Sequence, residues 1–324
     1  MLSSSRRWAD TALLRRLFLP LLILLLLPVP AAAQKMIALS FDDAPRGRGA
    51  FFTPEERTAR IIAELKKAEA PQAVFFVNPA AIGHGDGAHG EAQLAAYVAA
   101  GHVIANHSNS HPHLSGMTAE AYLADIDAAE VWLKGRPGYR PWFRFPFLDE
   151  GGKDKVKRDA LRAGLAARGL RNGYVTAESS DWHLESLTIQ AAKAGKPIDR
   201  AALGDLYVTW HVEAADYADG LMQKVIGRQP VQVMLLHETD LAALYIGDLV
   251  RALRGAGWTV VSADTAYADP IGALMPDVPS AQGTLTEALA WAAGVPAPRW
   301  YRYNDTALAT AEFNAKVLHE GGGE

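Results

Sequence analysis

From residue 36 to residue 261 the chain alternates short apolar runs with helical stretches, and this alternation constrains the fold more than any other feature. The runs at 36–41, 73–77, 102–105, 142–147, 173–176, 231–236 and 258–261 read as strands. Helical patterns lie between them at 54–70, 91–100, 118–134, 153–168 and 241–253, and two more fill 187–226. Thr53 and Pro54 open the first helix, since a threonine hydroxyl caps free N–H groups and proline suits a first turn. Gly101 and Gly169 close two others. Strands joined through helices pair in parallel, because each crossover needs a return element. About seven such units predict an α/β fold closed as a distorted or incomplete (β/α)7-type barrel. An open doubly wound sheet is the other arrangement such units allow.

The termini differ from this body. Arg6, Arg7, Arg15 and Arg16 precede an apolar run at 17–27, followed by Pro28, Pro30 and three alanines ending at Ala33. A basic start, an apolar middle and a small-residue exit describe an export signal. The run falls short of the roughly 20 apolar residues a membrane span needs. Residues 1–33 are therefore expected to be a signal peptide, and the protein periplasmic or secreted. Membrane attachment is expected only as an anchor left by failed cleavage. Removing four arginines and one aspartate takes the net charge from −4 to −7. That acidity argues against a nucleic-acid partner, whose phosphates select clustered Lys and Arg. The 324 residues contain no cysteine, which excludes thiolate catalysis, cysteine zinc fingers and iron–sulfur clusters. Residues 34–269 are expected to form the catalytic domain. Residues 270–324, punctuated by five prolines and ending in glycines, read as a short, partly ordered C-terminal extension with one helix at 284–293. No protein partner is implied.

Four of the apolar runs end in polar residues of related kinds. The first runs into Asp42 and Asp43, the fourth contains Arg144, and the sixth runs into His237. The third runs through Asn106 into His107, with His111 four residues on. In an α/β barrel the active site lies at the carboxyl ends of the strands, so these residues would share one rim. A carboxylate with two imidazoles suits Zn²⁺ and its first-row neighbours Co²⁺, Ni²⁺ and Mn²⁺. Three protein ligands leave a position open, as catalytic sites do, and a water acidified there hydrolyses amides or esters. Such a reaction also needs a base and an acid, roles open to one aspartate of the pair and to His237.

Five segments in order resemble the motifs of the polysaccharide deacetylases, carbohydrate esterase family 4. They are Ser40-Phe41-Asp42-Asp43, His107 to Pro112, Arg144 to Phe147, Ser180-Asp181-Trp182 and Leu235-Leu236-His237. The resemblance covers about residues 36–262. It implies Asp42 as general base, Asp43, His107 and His111 as ligands of a divalent ion, and Arg144 as the residue that orients Asp42. It implies His237 as general acid, charged through Asp181. Trp182 and Leu235 would wall the acetyl slot, and the backbone N–H of Phe147 would stabilise the oxyanion. The third motif often ends in tyrosine, so at Phe147 only the backbone would act. His183 and His211 stay unassigned: either could line the groove, and a surface role is the one expected. The expected activity is metal-dependent removal of N-acetyl groups from an amino-sugar polysaccharide: peptidoglycan, a chitin-like polymer or an exopolysaccharide. The same scaffold would also serve an O-acetyl glycan esterase or a small-amide hydrolase. A non-catalytic glycan-binding protein would be expected to have lost part of the set, and every member is present.

Overall fold

The protein's structure is a computed structural model that describes Met1 and residues 34–320. The expected signal at 1–33 otherwise lies outside the described residues. The elements in chain order are β1 (Met36–Ala44), α1 (Pro54–Lys67), β2 (Val74–Val77), α2 (Gly90–Ala99), β3 (Val103–Asn106), α3 (Ala119–Leu133) and β4 (Tyr139–Phe143). Then follow β5 (Asp149–Gly152), α4 (Lys155–Ala167), β6 (Arg171–Asn172), α5 (Asp181–Lys193), α6 (Arg200–Ile226), β7 (Gln232–His237) and α7 (Asp240–Gly255). The chain ends in β8 (Thr259–Val260), α8 (Ala263–Ala266), β9 (Ala281–Gln282), α9 (Leu285–Ala292) and α10 (Thr306–Lys316). Among the described residues no helix is long and apolar enough to cross a membrane.

Seven parallel strands form one sheet in the order β6-β4-β3-β2-β1-β7, with β8 beside the start of β1. The sheet curls until its two ends meet through a single parallel bridge between Ala177 and Met234. The Leu235 N–H donates to the Ala177 carbonyl at 2.9 Å across this seam. The architecture is the incomplete α/β barrel that the alternation predicts.

β1 lies at the centre and sets the two faces. Side chains alternate along a strand. Ile37, Leu39 and Phe41 join the large apolar cluster that includes Ile61 of α1 and Ile246 of α7. Ala38 faces the barrel interior with Val74, Phe76, Val103 and Val233. Ser40 and Asp42 share that inner face. The register pairs them with Leu235 and His237 of β7, which therefore point the same way.

Two local departures from the sequence reading have physical causes. The expected strand at 173–176 is irregular, and the two-residue β6 precedes it. Its carbonyls at Gly173 and Tyr174 accept from the Arg144 side chain rather than from a strand ladder. Helix α5 begins at Asp181, not near residue 187, because Ser180 turns in the left-handed region at φ 52°. The first helix runs as expected from Pro54, with Thr53 and Glu56 forming a reciprocal capping box.

Residues 270–320 pack on the barrel. β9 pairs antiparallel with β5, and the Leu285 N–H donates to the Val175 carbonyl at 2.8 Å. The Thr286 hydroxyl donates to the Thr176 carbonyl at 2.8 Å, and Tyr303 stacks on Trp210 of α6 at 4.4 Å.

Candidate active site

Strict alternation would send Asp43 to the helical face, opposite Asp42. A register shift between Phe41 and Ala44 prevents this, with Asp43 at φ 65°. A bulge of this kind re-aims a side chain, and here it turns Asp43 toward His107 and His111. Nε2 of His111 lies 3.1 Å from Asp43 Oδ1, and Nε2 of His107 lies 3.4 Å away. His107 follows the end of β3, with its N–H on the Val77 carbonyl. Its Nδ1 lies 2.9 Å from the Arg144 carbonyl. A carbonyl only accepts, so Nδ1 carries the proton and Nε2 presents its lone pair. His111 sits at φ 55°, its N–H held by the Ser108 hydroxyl at 3.0 Å.

This trio fits a metal ion. One atom from each residue lies within 4.8 Å of the others. Asp43 Oδ1 is buried and has no hydrogen-bond partner, although two imidazole nitrogens face it. Tetrahedral ligands about 2.0–2.1 Å from Zn²⁺ stand about 3.3–3.4 Å apart, close to the observed separations. Burial would raise the Asp43 carboxyl. The facing imidazoles and the charges of His237 and Arg46 outweigh burial and hold it well below the usual carboxylate range.

Asp42 stands beside the trio, 3% exposed, with Oδ2 3.6 Å from His107 Nε2. Arg144 Nη1 donates to Asp42 Oδ1 at 2.6 Å and to the Ser40 hydroxyl at 2.9 Å. Its Nε donates to the Gly173 carbonyl at 2.7 Å and its Nη2 to the Tyr267 hydroxyl at 2.6 Å. The guanidinium also lies over the Phe76 ring, 4.0 Å from its centroid. A buried charge left unpaired is costly. Arg144 and Asp42 offset each other, and the surrounding acceptors fix the carboxylate's direction.

On the other side His237 Nδ1 lies 2.7 Å from Asp181 Oδ1, and its backbone N–H donates to Asp181 Oδ2 at 2.8 Å. Burial alone would lower the imidazole. The charge and hydrogen bond of Asp181, with the charge of Asp43, outweigh burial and raise it to about 9. Burial likewise works against the Asp181 carboxylate, and His237 outweighs it, holding the carboxyl below its ordinary value. Trp182 is 40% exposed at the head of α5. Leu235 is buried in β7 yet packs into none of the three apolar clusters among the described residues.

Phe147 occupies a left-handed turn at φ 56°. Its ring meets His111 edge-on at 4.6 Å and stacks on His113 at 3.8 Å. This packing of the ring against a candidate ligand is a contact the sequence reading did not include. His211 is not a surface residue: it is 1% exposed, with Nδ1 2.6 Å from the Tyr207 carbonyl. The reading failed because the α6 face bearing it packs inward. His183 is half-buried against Thr310 of α10, 2.8 Å away. Arg46, Tyr267, His113 and Glu178 were missed. Only Arg46 carried a signal, its charge three residues after Asp43. Glu178 is pushed up to about 7 by burial, which His237's charge partly offsets.

Comparison with known proteins adds a match over the first half of the chain. Residues 30–167 match the polysaccharide deacetylase family. The matched segment carries Asp42, Asp43, His107, His111, Arg144 and Phe147. Asp181, Trp182, Leu235 and His237 lie beyond it. No curated protein matches the chain. Among solved structures, a family 4 carbohydrate esterase from Streptomyces lividans, in complex with acetate, is 22% identical. It covers 72% of this chain and 97% of its own, with a TM-score of 0.47. The peptidoglycan deacetylase PdaC of Bacillus subtilis is 20% identical, covers 72% and 91%, and has a TM-score of 0.43. A polysaccharide deacetylase from Bacillus cereus is 18% identical, covers 72% and 94%, and has a TM-score of 0.47.

Proposed function

We propose that this chain is a polysaccharide deacetylase that is exported and removes N-acetyl groups from an amino-sugar polysaccharide with the help of a divalent ion. Asp43, His107 and His111 hold the ion. The observation that carries this reading is the buried Asp43 Oδ1, unpaired by hydrogen bonds and faced by two ring nitrogens. A divalent ion there supplies Lewis acidity, which polarises the acetyl carbonyl and acidifies water.

The remaining steps belong to the side chains. Asp42, oriented by the Arg144 guanidinium, takes the proton of the attacking water. His237 enters protonated and gives its Nε2 proton to the leaving amine, while Asp181 holds Nδ1–H and the charge. An acid and a base so placed each contribute on the order of 10²–10⁴ in rate. The Phe147 N–H stabilises the oxyanion, and Trp182 and Leu235 wall the methyl of the acetyl group. The ligand set accepts Zn²⁺ and also Co²⁺, Ni²⁺ or Mn²⁺.

Acetate release from an N-acetylglucosamine oligomer tests this. Release by the full chain should require added Zn²⁺, stop with chelator, and fall at least 10²-fold in Asp42→Ala. Release that persists in the chelated protein would refute the reading.

A further inference from the structure

Arg46 lies in the loop between β1 and α1, and its Nη1 donates to Asp43 Oδ2 at 3.0 Å. Its side chain is 31% exposed. An exposed pair of this spacing is ordinarily worth about 0–1 kcal/mol and carries no role. The backbone beneath it argues otherwise. The Arg46 N–H donates to Glu238 Oε2 at 2.7 Å. Arg57 Nη1 donates to the Arg46 carbonyl at 3.4 Å and Nη2 to the Gly47 carbonyl at 2.5 Å. Asp240 Oδ2 accepts the N–H groups of Phe51 and Phe52 at 2.7 and 3.0 Å. Arg57, Glu238 and Asp240 are all buried, and Arg57 Nε pairs with Asp240 Oδ1 at 3.2 Å. Gly49 comes so close to the Asp240 carboxylate that a Cβ there would stand 2.3 Å from it. Buried charges directly after His237 thus grip both ends of this loop and fix the backbone that carries the guanidinium.

The consequence falls on Asp43. A free carboxylate can offer a metal one oxygen or both. Here Oδ2 is taken by Arg46 and Oδ1 alone faces His107 and His111. We propose that Arg46 is a positioning residue for the divalent ion, holding Asp43 as a one-oxygen ligand so that the protein supplies three donor atoms. This rests on the metal-dependent reading above. Groups that orient metal ligands from behind typically change metal affinity 10–100-fold when removed.

The test is Zn²⁺ titration of the apo full chain by calorimetry, with Co²⁺ visible absorption as a second readout. Co²⁺ absorption weakens as coordination number rises. Arg46→Ala should raise the Zn²⁺ dissociation constant about 10–100-fold. It should also weaken Co²⁺ absorption, as Oδ2 becomes free to bind. Arg46→Lys should recover part of both, and Arg48→Ala, an exposed neighbour, should change neither. Thermal midpoints of the apo forms check folding, and Arg46→Gln replaces the alanine variant if that one fails to fold. Wild-type affinity and an unchanged Co²⁺ spectrum in Arg46→Ala would reduce Arg46 to a surface pair. A folded wild-type chain that binds no Zn²⁺ would overturn the metal-dependent reading itself, and this proposal with it.

Discussion

At the scale of single residues, His237 depends on Asp181 for its proton. Its folded value of about 9 lies above the ordinary histidine value of about 6.5. The pair therefore stabilises the fold fully below about pH 6.5, and that stabilisation is lost as pH rises through about 9. In the proposed mechanism the same proton serves the leaving group, so kcat should fall with pH over that alkaline limb. Asp181→Asn keeps the shape and removes the charge. The limb should then move down by at least one pH unit, read from the kcat–pH profile of the full chain. A limb that stays near 9 would separate Asp181 from the acid. The chemically named residues were legible because few chemistries use them: two adjacent aspartates, a His-x-x-x-His-Pro pattern, and a histidine at a strand end. What stayed illegible was set by the backbone. Nothing in the sequence shows that Asp43 turns at φ 65°, or that the Phe147 ring reaches two histidines.

Among the elements, the capped helices α1 and α3 were read closely, and so was α2, which has no side-chain cap. α1 carries its capping box, and α3 its Thr118 cap on the Ala121 N–H. The segment after β6 was misread because two of its carbonyls accept from a side chain about thirty residues away, a tertiary fact. Gly173 shows how tightly that segment is fitted. A Cβ there would stand 2.6 Å from the Phe76 ring and 3.2 Å from the Phe143 carbonyl. Neither neighbour can yield freely, since Phe76 is fully buried and Arg144 lies over its ring. Gly173→Ala should cost about 1–3 kcal/mol in urea unfolding, as overpacked cores do. It should also lower kcat, because the Gly173 carbonyl is one of the groups that aim Arg144. A neutral effect on both would mean the segment relaxes without moving the guanidinium.

For the whole molecule, composition foretold a separate tail at 270–324, and the described part of it touches the barrel widely. Ile271, Val278, Leu289, Phe313 and Val317 are each at most 9% exposed. Burying such side chains contributes about 1.5–3 kcal/mol each, together about 7–15 kcal/mol. That rivals the 5–15 kcal/mol by which whole domains are stable. We therefore propose that the folding unit runs through residue 320. A chain cut after residue 269 should lose its cooperative thermal transition by circular dichroism. A sharp transition in that fragment would restore the boundary at 269. The extension was unreadable because its prolines and short helices bury apolar groups only against partners far away in sequence.

The central place of β1 also bears on the order in which the chain is made. Its first partner, β2, follows within forty residues, but its second, β7, starts at residue 232. A growing chain carries the strand of Asp42 and Asp43 with one edge unpaired until most of the protein exists. An open edge of this kind templates pairing with other chains. Non-local pairing of this sort also folds slowly. The strand that carries Asp42 and Asp43 thus keeps an open edge until late in synthesis, and the residues of the candidate site are made on a strand exposed to such pairing.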